Sequence, residues 1–373
     1  MRDDPLHSRS GMLRNPRLDG LRCVAISLVL FEHFGWRGGS VLLGYYGVDL
    51  FFVISGFLIT GILLKEPEGS TGTALKRFFG RRALRIFPPY YLLLVVLLAF
   101  DVSTARAMWA PLFTYTFNYA VVLHNEAHGE SPLFYLWSLS VEEQFYLIWP
   151  TLILGMKHRR RLLALLILAV VAAGYSQLLW NIVPPMERFN YTGLFNRMGS
   201  LGLGAFGAVY VARRNPPRVV FLNPWMELAC LAVLVFAVGW ASPCRSVLMG
   251  LGSLFLVIKA ARFRFQTPGL DRILTHRSVV YVGMISYGIY LYHLPLGNVF
   301  TPYLFDPVWK AVPFSDLGVL EKLRWHSWLI KVPLYGGLSI AIAAASHRWF
   351  ETPILRLKDR WFPVNQKPAD KTQ

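Results

Sequence analysis

The sequence is short of acid and of cysteine. Its 373 residues hold 21 Asp and Glu against 38 Lys and Arg. The three cysteines, Cys23, Cys230 and Cys244, fit neither a disulfide framework nor a metal-binding pair, so no metal is expected. Charged residues make up 16% of the chain, against 54% hydrophobic and 15% aromatic. That balance excludes an ordinary soluble domain, which cannot hide so much apolar surface. Internal repeats, low-complexity tracts and a separate soluble domain are also missing. The N-terminus carries Asp3 and Asp4 and no early apolar stretch, which argues against a cleaved signal peptide.

In their place stand long runs free of charge. Crossing a hydrocarbon layer of about 30 Å takes about 20 helical residues. No Asp, Glu, Lys or Arg lies between Arg161 and Glu187 or between Arg277 and Asp306, and shorter runs follow Arg85, Arg197, Glu227 and Lys331. The pattern predicts an all-α integral membrane protein, a bundle of about ten transmembrane helices. They fall at about 18–36, 41–64, 86–104, 133–156, 162–181, 193–212, 219–240, 246–261, 278–301 and 327–347. Residues 107–123 read as a non-spanning or re-entrant hairpin. With both termini cytoplasmic, most Lys and Arg fall on inside segments, including the Arg81–Arg85 and Lys157–Arg161 clusters. The formal net charge of +17 is then a matter of topology and calls for no nucleic acid. Residues 1–17 and 354–373 read as polar cytoplasmic tails around one membrane domain, 18–353. A proline-rich outer cap is expected at about 302–326.

Ionisable groups inside a span cost about 2.5–3.5 kcal/mol each on the insertion scale, so each needs a reason. In the first helix, Arg22 and His33 are eleven residues apart. They lie on one face, separated by roughly 16 Å of rise. An imidazole at that depth can serve as a general base, because it accepts and releases a proton near neutral pH. The alternative is a snorkelling arginine and a packing histidine. In the second helix Asp49 is the only acid between Glu32 and Glu66. It can orient His33 or a substrate hydroxyl, or simply bond a neighbouring helix.

Arg82 and Arg85, three apart, can converge on one anion such as a phosphate. Pro88 and Pro89 are expected to break the helix beside them. Both cations also suit topological anchoring. The segment from Trp137 carries adjacent acids, Glu142 and Glu143, suited to accepting hydrogen bonds from sugar hydroxyls. Trp137 offers an apolar platform for a sugar ring. Interfacial anchoring by Trp137, Tyr146 and Trp149 is the ordinary alternative. Ser286, Tyr290 and His293 share one helical face that turns toward the bundle interior, either to meet substrate or as an interhelical hydrogen-bond network.

Taken together, these segments resemble the acyltransferase 3 family of bacterial membrane acyltransferases. Six motifs in order carry the likeness: Arg17-Leu-Asp-Gly-Leu-Arg22 with His33; Gly47-Val-Asp-Leu-Phe-Phe-Val-Ile-Ser-Gly-Phe57; Arg82-Ala-Leu-Arg85-Ile-Phe-Pro88; Trp137-Ser-Leu-Ser-Val-Glu-Glu-Gln-Phe-Tyr146; Ser286-Tyr-Gly-Ile-Tyr-Leu-Tyr-His293; and Arg348-Trp-Phe-Glu351-Thr-Pro353. The resemblance implies a ten-helix domain with His33 catalytic, aided by Asp49 or Glu142. It puts an acyl-coenzyme A donor, acetyl-CoA above all, at Arg82 and Arg85 with Arg22 and Glu351. The acceptor it implies is a surface polysaccharide or lipid-linked glycan; from the residue patterns above, Trp137, Glu143, Tyr290 and His293 are expected to meet it. It also implies a bacterial inner membrane, contact with lipids, and partners from polysaccharide biosynthesis. Cys23 stands where the family more often has Gly. No hydrolase-like domain is expected after the membrane domain, so acceptor choice would rest on the membrane domain or a partner. The rival readings are a flippase for a lipid-linked saccharide and a non-catalytic scaffold.

Overall fold

The structure, a computed structural model, describes residues 15–35, 43–66, 71–123, 132–156, 160–175, 192–239, 245–313 and 326–363. These residues are 88% helical with no strand. Both extreme tails, the loop around Pro185, and residues 314–325 of the expected cap lie outside them.

Helix α1 (Pro16–Phe34) starts where Asn15 caps it: its Oδ1 accepts from the Arg17 N–H at 3.0 Å. The Asn15 amide also donates to the Ala260 carbonyl at 2.8 Å, so the cap fixes where the helix begins against its neighbour. Helix α2 (Leu43–Leu64) and α3 (Thr71–Ala99) follow. The α3 helix begins fifteen residues before the expected position 86 and runs unbroken through Pro88 and Pro89. Each proline removes one backbone donor, yet the flanking turns hold, so Arg82 and Arg85 sit inside a continuous helix and not at its edge.

Three short helices, α4 (Ser103–Ala107), α5 (Trp109–Phe113) and α6 (Phe117–Leu123), cover the stretch 107–123 that was expected not to span. None approaches the length a span needs. Tyr90 and Tyr91 of α3 donate to the Leu112 and Phe113 carbonyls at 2.9 and 3.0 Å, and Gln144 donates to the Tyr115 carbonyl at 2.7 Å. These bonds pin the segment of short helices to α3 and α7 (Trp137–Met156).

Next come α8 (Arg160–Tyr175), α9 (Leu194–Arg213), α10 (Arg218–Phe221), α11 (Pro224–Gly239) and α12 (Arg245–Arg262). The α2 and α9 backbones touch through glycine. A Cβ on Gly56 would strike the Leu201 carbonyl, and one on Gly204 the Val53 carbonyl. Close contact of this kind is how helices associate where lipid offers no hydrophobic drive. Lys259 and Glu227, both 0% exposed, pair at 2.5 Å; Lys259 also donates to the Phe221 carbonyl, and Glu227 accepts from the N–H groups of Gln266 and Thr267. Every charge in this staple of α10, α11 and α12 is thus satisfied.

The last third comprises α13 (Leu270–Leu274), α14 (Arg277–Met284), α15 (Ser286–Phe300), α16 (Asp306–Ala311), α17 (Trp328–Ser346) and α18 (Thr352–Trp361). The α14 and α15 helices meet at a 70° bend. A π-turn at His347–Glu351 joins α17 to α18. The C-terminal segment expected to be a frayed tail is therefore helical to Trp361. It docks on α3 because Arg81 donates to the Phe362 carbonyl at 2.7 Å.

By length and apolarity, three helices among the described residues can cross a membrane, Leu43–Leu64, Thr71–Ala99 and Trp328–Trp361, or four if the bent pair counts as one span. Helix α1 misses that standard because Arg17, Asp19, Arg22 and Glu32 lie within it. Large apolar side chains face outward, among them Val95 at 55% exposure on α3, Phe100 at 80% just past its end, and Val235 at 75% on α11. Apolar surface on this scale suits lipid.

Candidate active site

One cavity gathers much of what the sequence singled out. Its walls include Arg22 of α1, Ser55 of α2, Arg82 and Arg85 of α3, Ser138, Glu142, Glu143 and Tyr146 of α7, and Ser286, Tyr287 and Tyr290 of α15. Six expected site residues, Arg22, Arg82, Arg85, Glu142, Glu143 and Tyr290, thus meet from four helices.

The cations differ in how they are held. Arg22 donates to Asp19 at 3.2 Å. The Arg82 guanidinium lies 3.3 Å over the Tyr146 ring, and its Nε is buried without a hydrogen-bond partner. Arg85 is accessible to solvent. Arg22 and Arg82 add like charge around it, and Asp19 and Glu351 opposite charge. Among the described residues neither Arg82 nor Arg85 makes an ion pair with a carboxylate. Two guanidiniums three residues apart in one cavity, neither held in such an ion pair, can meet one multivalent anion.

The acids are held separately. Ser55 Oγ donates to Glu142 Oε1 at 2.8 Å, tying α2 to α7 at the cavity wall. Tyr290 Oη lies 2.6 Å from Ser138 Oγ and 3.0 Å from the Tyr135 carbonyl. Interfacial anchoring does not describe this helix, since Trp137, Tyr146 and Trp149 are 3%, 2% and 1% exposed. Trp149 Nε1 donates to Thr60 at 2.8 Å in the interior.

Asp49, His33, Trp137, His293 and Glu351 are set back from the cavity. Asp49 is 1% exposed and is held by Arg197 at 3.3 Å and Ser200 at 3.1 Å, both on α9. Of the roles open to Asp49, the bond to a neighbouring helix is the one these contacts show. Trp137 is buried, with the Arg197 guanidinium 5.0 Å from its ring centre, so it offers no open platform for a sugar. Glu351 closes the π-turn, accepting from Ser346 Oγ at 3.1 Å, and lies 3.5 Å from His347 Nδ1. Its oxygen also lies 3.6 Å from where a Cβ on Gly288 would stand, which places it against α15.

The two histidines of the first and fifth motifs meet. His293 Nε2 lies 2.9 Å from His33 Nδ1, with ring centres 4.9 Å apart. His293 Nδ1 lies 2.7 Å from the Tyr290 carbonyl, the residue whose side chain walls the cavity. Three partners escaped the sequence reading. Arg197 passed there only as the boundary of a charge-free run, although a charge at a helix start is itself a signal. Ser55 lies within the second motif, which assigns it no role, and Tyr135 carries no signal that separates it from other tyrosines of the chain.

Among known proteins, the chain is 32% identical over 367 residues to the peptidoglycan O-acetyltransferase OatA of Listeria monocytogenes, covering 91% of this chain and 55% of that protein. It is 33% identical over 368 residues to a putative peptidoglycan O-acetyltransferase of Bacillus subtilis, YrhL, covering 91% and 54%. A putative O-acetyltransferase of Staphylococcus aureus is 28% identical over 372 residues, covering 91% and 57%. The chain thus spans little more than half the length of these relatives. No solved structure matches it. The acyltransferase 3 family, described as an acyltransferase domain, matches residues 15–348, which hold the first five motifs whole and end at the first residue of the sixth, and the chain belongs to that family.

Proposed function

We propose that the chain is a multi-pass O-acyltransferase of the bacterial cytoplasmic membrane that moves an acyl group, acetyl by preference, from acyl-coenzyme A to a hydroxyl of a cell-surface or lipid-linked glycan. The observation that carries this reading is the cavity lined by Arg22, Arg82 and Arg85, with two hydrogen-bonded imidazoles behind its Tyr290 wall. The names of the relatives support acetyl as the group and a glycan as the acceptor. The charge distribution along the sequence supports ten spans with both termini in the cytoplasm.

In this reading the donor phosphates bind the planar forks of Arg82 and Arg85, with Arg22 beside them. The pantetheine arm runs past the Glu142 and Ser55 pair toward Tyr290. His33 accepts the proton of the acceptor hydroxyl as its oxygen attacks the thioester carbon. The tetrahedral intermediate collapses by breaking the C–S bond, and the imidazolium returns its proton to the departing thiolate. Glu142 and Glu143, on the same wall, bind acceptor hydroxyls. Asp49 acts at a distance, by fixing α9 against α2.

The test is turnover. Purified full-length chain, given labelled acetyl-CoA and soluble peptidoglycan fragments, should yield a base-labile O-acetyl ester detected by mass spectrometry. A flippase or scaffold would yield none.

A further inference from the structure

We infer that His293 is a positioning residue that sets the tautomer of His33, with the Tyr290 backbone carbonyl standing where a carboxylate stands in many acid–base chains. The inference rests on His33 being the base.

The argument is one of proton count. A carbonyl oxygen has lone pairs and no hydrogen, so the His293 nitrogen 2.7 Å from it, Nδ1, must carry the proton. A neutral imidazole has one N–H, so His293 Nε2 is an acceptor. The 2.9 Å contact is then filled by a hydrogen on His33 Nδ1, which puts the His33 lone pair on Nε2. The reverse order would set lone pair against lone pair at the carbonyl, at a side chain that is 0% exposed. With both rings neutral, only one direction of the chain is satisfied throughout: Tyr290 C=O, His293 H–Nδ1, His293 Nε2, His33 H–Nδ1.

The surroundings fix the His293 ring. Tyr135 meets it edge to face at 5.1 Å and 73°, and Phe34 does so at 6.1 Å and 82°. Tyr135 is itself held, because its hydroxyl donates at 2.7 Å to the Leu291 carbonyl. That carbonyl has no partner four residues on, since Pro295 lacks an N–H. When His33 takes a proton on Nε2, its Nδ1–H already points at His293 Nε2, which shares the new charge. Of the two acids expected to orient His33, Asp49 is engaged with α9 and Glu142 with Ser55, and the second histidine takes that place.

Three substitutions separate positioning from packing. In His293→Gln the amide oxygen reaches the former Nε2 position and can accept from His33. In His293→Asn the amide reaches only the former Nδ1 position and can bond Tyr290 but not His33. We expect kcat to fall about 10- to 100-fold in His293→Ala and His293→Asn, the cost common for an orienting partner. His293→Gln should recover most of it. The KM for acetyl-CoA should not move in any of the three.

Recovery by Asn as good as by Gln, or a loss carried by KM, would overturn the inference while leaving His33 as the base. Near-normal turnover of His33→Ala would overturn both. The unaltered protein gives a reading independent of any variant's folding. With histidine labelled by 15N, both imidazoles should appear as the neutral Nδ1–H form, less common than Nε2–H in free solution. An Nε2–H signal at either residue, assigned by difference with its Gln variant, would overturn the inference.

Discussion

Replacing Arg85 by alanine removes a guanidinium that lines the cavity and makes no ion pair with a described carboxylate. No protein carboxylate is left buried and unpaired by the change, so the effect should fall on the ligand and little on the fold. A hydrogen bond involving a charged group contributes about 1.5–3 kcal/mol. Loss of one such contact therefore weakens donor binding about 10- to 150-fold. Steady-state kinetics in detergent should show the KM for acetyl-CoA rising by that factor, with the acceptor KM nearly unchanged. Arg85→Lys should restore only part of it, because an ammonium keeps the charge and loses the planar fork. S-Acetylpantetheine, which has the thioester but no phosphate, supplies the control, and its turnover should be indifferent to Arg85→Ala. An unchanged acetyl-CoA KM, or an equal loss with both donors, would refute the assignment and return Arg85 to the role of a topological anchor.

Other outcomes follow from the same geometry. Lys259→Met should destabilise the fold by about 3–5 kcal/mol by stranding Glu227, while Lys259→Met with Glu227→Gln, which removes the charge and keeps an acceptor for the Gln266 and Thr267 N–H groups, should recover part of the thermal midpoint. Gly204→Ala should cost about 1–3 kcal/mol by forcing α9 off the Val53 carbonyl of α2, read as a lower unfolding temperature without a change in KM. The Arg17 side chain, hydrogen-bonded at 2.6 Å, holds the Asp271 carboxyl below the usual carboxylate range. Because the folded value is the depressed one, this link stabilises fully at neutral pH and is lost as pH falls through that lower value; Asp271→Asn should remove that part of the acid sensitivity. An impermeant thiol label applied from outside should reach a cysteine placed at Pro185 and not one at Arg160. Labelling of both would overturn the ten-span topology.

The sequence showed much of this because charge inside an apolar run is costly enough to be informative. Arg22, Arg82, Arg85, Glu142, Glu143 and Tyr290 stood out for that reason or on a shared helical face, and the structure gathers all six in one cavity. Pairings between helices were not legible. Asp49 and Arg197 are 148 residues apart, and His33 and His293 are 260 apart; no helical periodicity links positions on different helices. Burial was also misjudged at Trp137, where aromatic composition suggested an open platform, while packing against Phe52 and Arg197 buries the ring. The start of α3 was missed because its first turns carry Lys76, Arg77, Arg81 and Arg82, which a search for apolar runs leaves out although such residues form helix readily.

The central claim is that His33 removes the acceptor proton. Its most direct test is the single-turnover rate of acyl transfer by purified His33→Ala and His33→Gln, measured beside equilibrium binding of acetyl-CoA to the same preparations. The account predicts near-normal binding with transfer slowed about 10²- to 10⁴-fold, the usual worth of a positioned base. Near-normal transfer in both variants would contradict it.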